Sequence, residues 1–430
     1  MAYFPGFCRF FPCATGIFHR AFPWKSTIFA PCWRVGSSFL PGRAVPVRIP
    51  APANQKRQWR PRMWHGSHAF AWWRMLAKNG LAIHPKYFGI SLVTTVTTAI
   101  HATIRTLQQA TAASKAAQTP LSQDPLFIIG HWRTGTTLLH ELFIEDPRHS
   151  YPTTYRCMDP NHFLLTENAF KPYLNFMLPS QRPMDSMATG WEKPQEDEFA
   201  LAMLGAPSPY WSIAFPNLQP QDTLAYEVEN LPPNERKRWE RVFLSFLREC
   251  AWAAPPRERR MVLKSPTHSW RIPTLLKLFP KARFVHIVRD PYVVFPSTVN
   301  LWRSLQRTHG LQIPNLESIE EQVFGTFSWM YNRLEATRHL VPQGQFAEVR
   351  YEDLVANPLS QMERLYHELD LGGFDVAGRH IQGYLDSQKG YETNKFKPLP
   401  TDVEADISRR WGDVIDRYGY PHRGQSHPAP

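Results

Sequence analysis

Residues 126–139 read Leu-Phe-Ile-Ile-Gly-His-Trp-Arg-Thr-Gly-Thr-Thr-Leu-Leu. An apolar run ends at Gly130, a tight turn carries Arg133 and Gly135, and Thr136 and Thr137 open an apolar segment with helical spacing. A strand, a loop and a helix in that order can cradle a phosphate on backbone N–H groups and a helix N-terminus. The frame Gly-x4-Gly is that of a triphosphate-binding loop, but the next position, where such a loop carries Lys, is Thr136. The cation sits upstream instead, at Arg133. The loop therefore suits a phosphate, but not the β- and γ-phosphates of ATP with their metal.

Outward from this loop, short apolar runs alternate with helical patterns. Strands are expected over 126–130, 261–264, 283–288 and 346–351, and helices over 136–145, 268–279, 291–304 and 359–369. In the third strand Phe284, Val285, Ile287 and Val288 are apolar, which suits burial on both faces. Such alternation predicts parallel βαβ units. The expected fold class is α/β, a P-loop-like parallel sheet of four or five strands flanked by helices. Ligands of such sheets sit at the carboxyl ends of the strands, where Arg133, Lys264 and Arg289 all fall. Residues 150–260 read as a helical insertion on the substrate side.

The net charge of +12 is unevenly spread. Residues 1–123 hold 15 Lys or Arg and no Asp or Glu, which leaves −3 for the rest. A basic, aromatic segment suits an anionic membrane or nucleic acid, but 1–62 shows no sustained period of 2 or 3.6. It reads as a basic, disordered leader whose composition resembles a transit peptide. Residues 63–123 form a helical, membrane-peripheral segment, 124–420 the α/β domain, and 421–430 a flexible tail. The span 88–104 lacks Lys, Arg, Asp and Glu. At 17 residues with five threonines, it reads as a helix lying on the domain or on a membrane surface rather than crossing one. Five scattered cysteines with no CxxC point to neither a disulfide framework nor a zinc site. The expected location is the cytoplasm, with association to a membrane, and no specific nucleic acid is expected as a partner.

Arg289 ends a strand in Val-Arg-Asp-Pro, and Ser297 follows eight residues later on the next helix. A guanidinium and a hydroxyl at the mouth of a sheet suit a second phosphate. Two phosphate sites at adjacent strand ends imply a nucleotide with two separate anionic ends. Lys264 ends its strand in Leu-Lys-Ser-Pro, and a Lys there is costly unless it meets an anion. It can stabilise charge developing on a leaving oxygen.

These pieces, in this order, resemble the sulfotransferase superfamily, over about 124–400. Arg133-Thr134-Gly135-Thr136-Thr137 is similar to its 5′-phosphosulfate loop, and Arg283 to Ser297 to its 3′-phosphate motif. Lys264-Ser265-Pro266-Thr267-His268 resembles the Lys-Ser-Pro-x-His of a branch with many bacterial members. Tyr351-Glu352-Asp353-Leu354 with Asn357-Pro358 recurs there as well. The resemblance implies 3′-phosphoadenosine-5′-phosphosulfate (PAPS) as co-substrate and in-line sulfuryl transfer, without a metal, to an acceptor hydroxyl or amine. It implies that Gly135, Thr136 and Thr137 hold the 5′-phosphate and that Arg289 and Ser297 hold the 3′-phosphate. Arg133 and Lys264 would neutralise the bridging oxygen, and Lys389 and Gly390 resemble the Lys-Gly loop over the 3′-phosphate.

The base does not carry over. Cytosolic members use a His two residues after the strand Lys, and that position here is Pro266. Tyrosylprotein members use a Glu that counts to the region of Thr154, where no carboxylate lies. The candidates are His268 and the acids of Pro-Gln-Glu-Asp-Glu-Phe, with Glu196 first, ahead of Asp197 and Glu198. An acceptor hydroxyl needs such a group within hydrogen-bond reach. Acids in a first helical turn also serve the helix dipole. Trp191, Tyr210 and Trp211 are candidates to line an acceptor cleft. Two rivals remain: a P-loop kinase or NTPase using Asp290 as a metal ligand, and a non-catalytic binder of membranes or nucleic acid.

Overall fold

The structure is a computed structural model that describes residues 62–174, 190–217, 223–256, 259–388 and 398–424. The leader expected over 1–62, except Arg62, lies outside the described residues, as do Lys389, Gly390 and residues 425–430 of the tail.

Five strands form one sheet: β1 (Leu126–Ile129), β2 (His149–Ser150), β3 (Arg260–Lys264), β4 (Arg283–Val288) and β5 (Phe346–Arg350). The order is β2-β3-β1-β4-β5, and every pairing is parallel. The strand carrying the phosphate-type loop is thus central. All four β1 side chains are fully buried, and they alternate between two apolar layers. Leu126 and Ile128 join Val262, Val285 and Ile287 on one face; Phe127 and Ile129 join Leu263 and Phe284 on the other. A period of two with both faces apolar is what a strand covered by helices on each side requires.

Helices α1 (Ala69–Lys78) and α2 (Phe88–Gln108) precede the sheet. The loop after β1 leads into α3 (Thr136–Ile144), and the acidic segment opens α4 (Asp197–Met203). Next come α5 (Pro233–Trp252), α6 (Ile272–Leu278) and α7 (Pro291–His309), then α8 (Pro358–Glu368) and α9 (Phe374–Ser387). Helices α3, α8 and α9 cover the first face of the sheet through Leu139, Phe143, Leu365 and Ile381. Helices α5 and α6 cover the second through Trp239, Phe243 and Leu275.

A third apolar layer is rich in aromatic rings. It gathers Trp132, Tyr210, Trp270, Tyr292, Phe295, Trp302, Phe327 and Trp411. Met63, Trp64, Trp72, Met75 and Leu76 belong to this same layer. The helical segment that starts at residue 63 therefore shares its core with the α/β domain.

The helix expected over 268–279 is broken. A 3-10 turn spans Pro266–Trp270, Arg271 leaves helical geometry, and α6 restarts at Ile272. Pro273 is the cause: it lacks an N–H, so it fits a first turn and not a helix interior. The edge strand β2 is only two residues long, too short to show a period in sequence.

Trp72 is fully buried in the aromatic layer, so Trp72→Ala should destabilise the whole domain by about 3–5 kcal/mol. Chemical denaturation should then show one cooperative transition at a lower midpoint; an unchanged midpoint would mean that α1 is not part of the folded core.

Candidate active site

Sheet order places three cations around one point. Lys264 at the end of β3 pairs in register with Ile128, and His286 of β4 pairs with Ile129. The loop from β1 therefore emerges between the carboxyl ends of β3 and β4, with Lys264 on one side and Arg289 on the other.

The loop is held from within. The Gly130 N–H donates to Ser269 Oγ at 2.9 Å, and Thr134 Oγ1 donates to the His131 carbonyl at 2.8 Å. His131 is fully buried, and burial lowers its imidazole pKa to about 3, so the ring is neutral. Arg133 has φ +73° and Gly135 φ +101°. A left-handed conformation is strained for a residue with a side chain and recurs at functional sites. At Gly135 a side chain is excluded for a second reason, since a Cβ would run into the Tyr351 ring.

The same ring supports Arg289, whose guanidinium carbon lies 4.0 Å from its centroid. Arg289 Nη1 donates to the Arg133 carbonyl at 3.3 Å, and Arg133 Nε donates to Ser297 Oγ at 2.8 Å. Ser297, on α7, is buried. Burial pulls the Arg289 pKa below its ordinary value; the Tyr351 hydroxyl and the more distant Glu352 and Asp290 charges oppose this, and the Arg133 charge adds to it. Among the described residues no carboxylate lies within ion-pair reach of Arg289. Two guanidinium groups crowded together in partial burial suit an incoming anion.

On the other side, the Lys264 ammonium is 2% exposed and donates to Glu196 Oε1 at 2.9 Å. Glu196 Oε2 accepts from the Tyr210 hydroxyl at 2.5 Å, and that hydroxyl accepts from Trp132 Nε1 at 3.2 Å. A chain of polar contacts therefore runs from the loop to the strand-end lysine. Burial, and then the Glu196 charge, push the Tyr210 pKa well above its ordinary value, so Tyr210 remains a donor.

The three consecutive acids have separate partners. Asp197 accepts from Ser265 Oγ at 2.8 Å and meets His268 Nε2 at 3.0 Å. Glu198 takes Arg271 at 2.5 Å, Ser208 Oγ at 2.6 Å and Thr267 Oγ1 at 2.9 Å. Asp197, Glu198, His268 and Arg271 are all fully buried. Removing one member of such a cluster leaves a buried charge unpaired, at a cost of about 3–5 kcal/mol. Burial alone would raise the Asp197 pKa, but the His268 charge and hydrogen bond, Ser265 and Arg271 outweigh it and hold it below the ordinary range.

The remaining expected residues divide clearly. Thr136 is buried and Thr137 partly exposed in the first turn of α3. His268 lies behind β3 against the Phe127 and Phe243 rings, not at the mouth of the site. Glu196 is the member of the acidic segment that reaches Lys264. Of the three candidate aromatics, Tyr210 touches the polar chain. Trp211 is buried under Arg74, and Trp191 packs on Tyr155. Asp290 caps α7 through the Tyr292 N–H and binds Arg423 at 2.6 Å, so both its oxygens are occupied.

A parallel sheet with a phosphate-type loop at its centre and cations at the flanking strand ends defines a protein that handles a phosphorylated, anionic donor. Residues 125–375 match the sulfotransferase family, and the chain belongs to that family. It is a sulfotransferase, and PAPS as co-substrate fits the family. Among its relatives is the omega-hydroxy-beta-dihydromenaquinone-9 sulfotransferase Stf3 of Mycobacterium bovis, 42% identical over 374 residues, 87% of this chain and 95% of that protein. Stf3 of Mycobacterium tuberculosis matches to the same extent. Two solved structures share the fold. Sulfotransferase STF9 from Mycobacterium avium superposes with a TM-score of 0.60 at 20% identity, covering 83% of this chain and 93% of that one. Sulfotransferase STF1 from Mycobacterium tuberculosis H37Rv gives 0.54 at 16% identity, covering 81% and 90%.

The depressed Asp197 pKa carries a sign. A carboxyl held below its unfolded value adds stability above that value and loses it as pH falls toward the folded value. Urea unfolding of Asp197→Asn should therefore show a deficit against the parent that is full near pH 7 and closes below about pH 4. A deficit constant across that range would show that the Asp197 charge contributes nothing.

Proposed function

We propose that this sulfotransferase moves a sulfuryl group from PAPS to a hydroxyl on a lipophilic acceptor. The acceptor class is the ω-hydroxylated dihydromenaquinone named for its 42% identical relatives. The observation that carries the donor reading is the placement of Arg289 and Lys264 on opposite sides of the β1 loop. Arg289 toward β4 and the buried Lys264 ammonium toward β3 suit a donor with a 3′-phosphate and a 5′-phosphosulfate.

In this reading Arg289, Ser297 and Arg133 hold the 3′-phosphate, and Gly135, Thr136 and Thr137 hold the 5′-phosphate at the N-terminus of α3. Arg133 moves from catalysis to nucleotide binding, because its Nε is already committed to Ser297. Lys264 neutralises the oxygen that bridges sulfur and the 5′-phosphate. The acceptor oxygen attacks sulfur as that S–O bond breaks, and Glu196 takes the acceptor proton. Tyr210 and the Asp197–His268 pair position Glu196 without touching the reacting atoms. Lys264 supplies the charge neutralisation at the leaving oxygen, and the transfer is proposed to need no metal.

A thermal shift separates this reading from a kinase. 3′,5′-adenosine bisphosphate should stabilise the chain more than ATP with magnesium does, by mass action on the folded state. Arg289→Ala should weaken the bisphosphate by about 1.5–3 kcal/mol, roughly ten- to a hundredfold in Kd. Stabilisation by magnesium-ATP alone would refute the donor assignment.

A further inference from the structure

Helix α2 is inside out. A helix on the surface of a soluble domain buries its apolar face and shows water its polar one. Here the residues turned to the domain are Ser91, Thr94, Thr98 and Gln108, all buried, with His101 and Arg105 in the same register. The opposite face carries Phe88, Leu92, Val96, Ile100 and Leu107, each 54–67% exposed. Their spacing of four, four, four and seven keeps them on one stripe, and at 1.5 Å per residue the stripe is about 30 Å long.

The polar face is fastened. Arg105 makes a two-pronged pair with Glu249, each bond at 2.8 Å, and Gln108 Nε2 donates to the same carboxylate at 3.0 Å. His101 meets His162 and Asp159. The Thr95 hydroxyl accepts from Trp72 Nε1 of α1 at 3.0 Å. Since one whole side of α2 is bound to the domain, the helix cannot be surrounded by lipid as a spanning helix is; only its stripe is available.

The exposed threonines suit an apolar neighbour. Thr103 and Thr106 donate to the carbonyls of Ala99 and Ala102, four residues back on their own helix. Hydroxyls satisfied in this way need no water and enter a low-dielectric layer at little cost. Lys86 is exposed two residues before the helix and Lys115 seven residues after it. No Asp or Glu occurs before Asp124, against 15 Lys or Arg. An apolar stripe flanked by cations and free of acids matches the interface of a bilayer with anionic headgroups.

We infer that α2 docks this sulfotransferase on the surface of an anionic lipid bilayer, lying in the plane of the membrane with the Phe88–Leu107 stripe in the acyl boundary. The inference goes beyond the donor and acceptor assignments and does not depend on them. A peripheral enzyme of this design meets a lipophilic acceptor where that acceptor is dissolved.

The test is sedimentation of the purified full chain with vesicles of phosphatidylcholine and phosphatidylglycerol. The parent should partition to the vesicles and stay bound at raised salt, because the stripe and not charge alone holds it. The triple variant Leu92→Gln, Val96→Gln, Ile100→Gln should lose about tenfold or more in partition, while keeping the parent's thermal shift with 3′,5′-adenosine bisphosphate. The single Val96→Glu change gives the same result in a second, milder background. Equal partition of parent and variants would overturn the inference, as would complete release of the parent by salt. A lipid-free parent that is dimeric by light scattering, with a monomeric triple variant, would overturn it too, because a second copy would then cover the stripe. Loss of the bisphosphate shift in the parent would strike the donor reading and leave the docking result standing.

Discussion

An ammonium group with 2% exposure at the end of a buried strand constrains everything around it. Burying that ammonium is costly unless an anion is in contact with it. Glu196 provides the anion, and Glu196 is held by Tyr210 and by the locking of the next two acids, Asp197 on Ser265 and His268, Glu198 on Arg271 and Thr267. These partners of the two acids come from residues 265–271, the segment that directly follows Lys264. The strand that delivers the cation therefore also positions the helix that delivers its counter-charge. Tyr210 and Trp132 extend the network to the β1 loop.

Across the loop the electrostatics are reversed. Arg289 has a ring and a backbone carbonyl for neighbours, with Arg133 close by. Such a site gains from an incoming anion, whereas Lys264 must exchange one anion for another. That contrast gives the two ends different work in the proposed reaction: binding at the arginines, and response to developing charge at the lysine. Tyr351 joins Arg289 to the β1 loop, because the same ring supports Arg289 and closes the space over Gly135. Glycine at 135 is thus required both by its φ of +101° and by the ring.

Much of this was legible in sequence. Strand–helix alternation with apolar runs at 126–129 and 283–288 specified a parallel sheet, and the loop, Lys264 and Arg289 fell at strand ends on spacing alone, with Ser297 on the helix that follows. Spacing does not tell which partner each acid will find. Glu196, Asp197 and Glu198 are adjacent in the chain, and only the fold assigns the first to Lys264 and the second to His268. His268 resembled a catalytic group because it follows the strand; the fold buries it against Phe127 and pairs it with Asp197. Tyr351 stood within a visible motif, but its reason, a flat ring against a glycine, is a tertiary contact. The inverted polarity of α2 was visible only as an uncharged stretch, since exposure is needed to tell which face is which.

The central claim is that Lys264 and Glu196, joined at 2.9 Å, become the charge-neutralising cation and the base of a sulfuryl transfer. It is tested most directly by following radiosulfur from labelled PAPS to an ω-hydroxylated dihydromenaquinone in single turnover. The account predicts label on the acceptor with the parent enzyme, and a rate lower by about two to three orders of magnitude for Lys264→Ala, with bisphosphate affinity little changed. Transfer by Lys264→Ala at the parent rate, or label that never leaves the nucleotide with the parent enzyme, would contradict it.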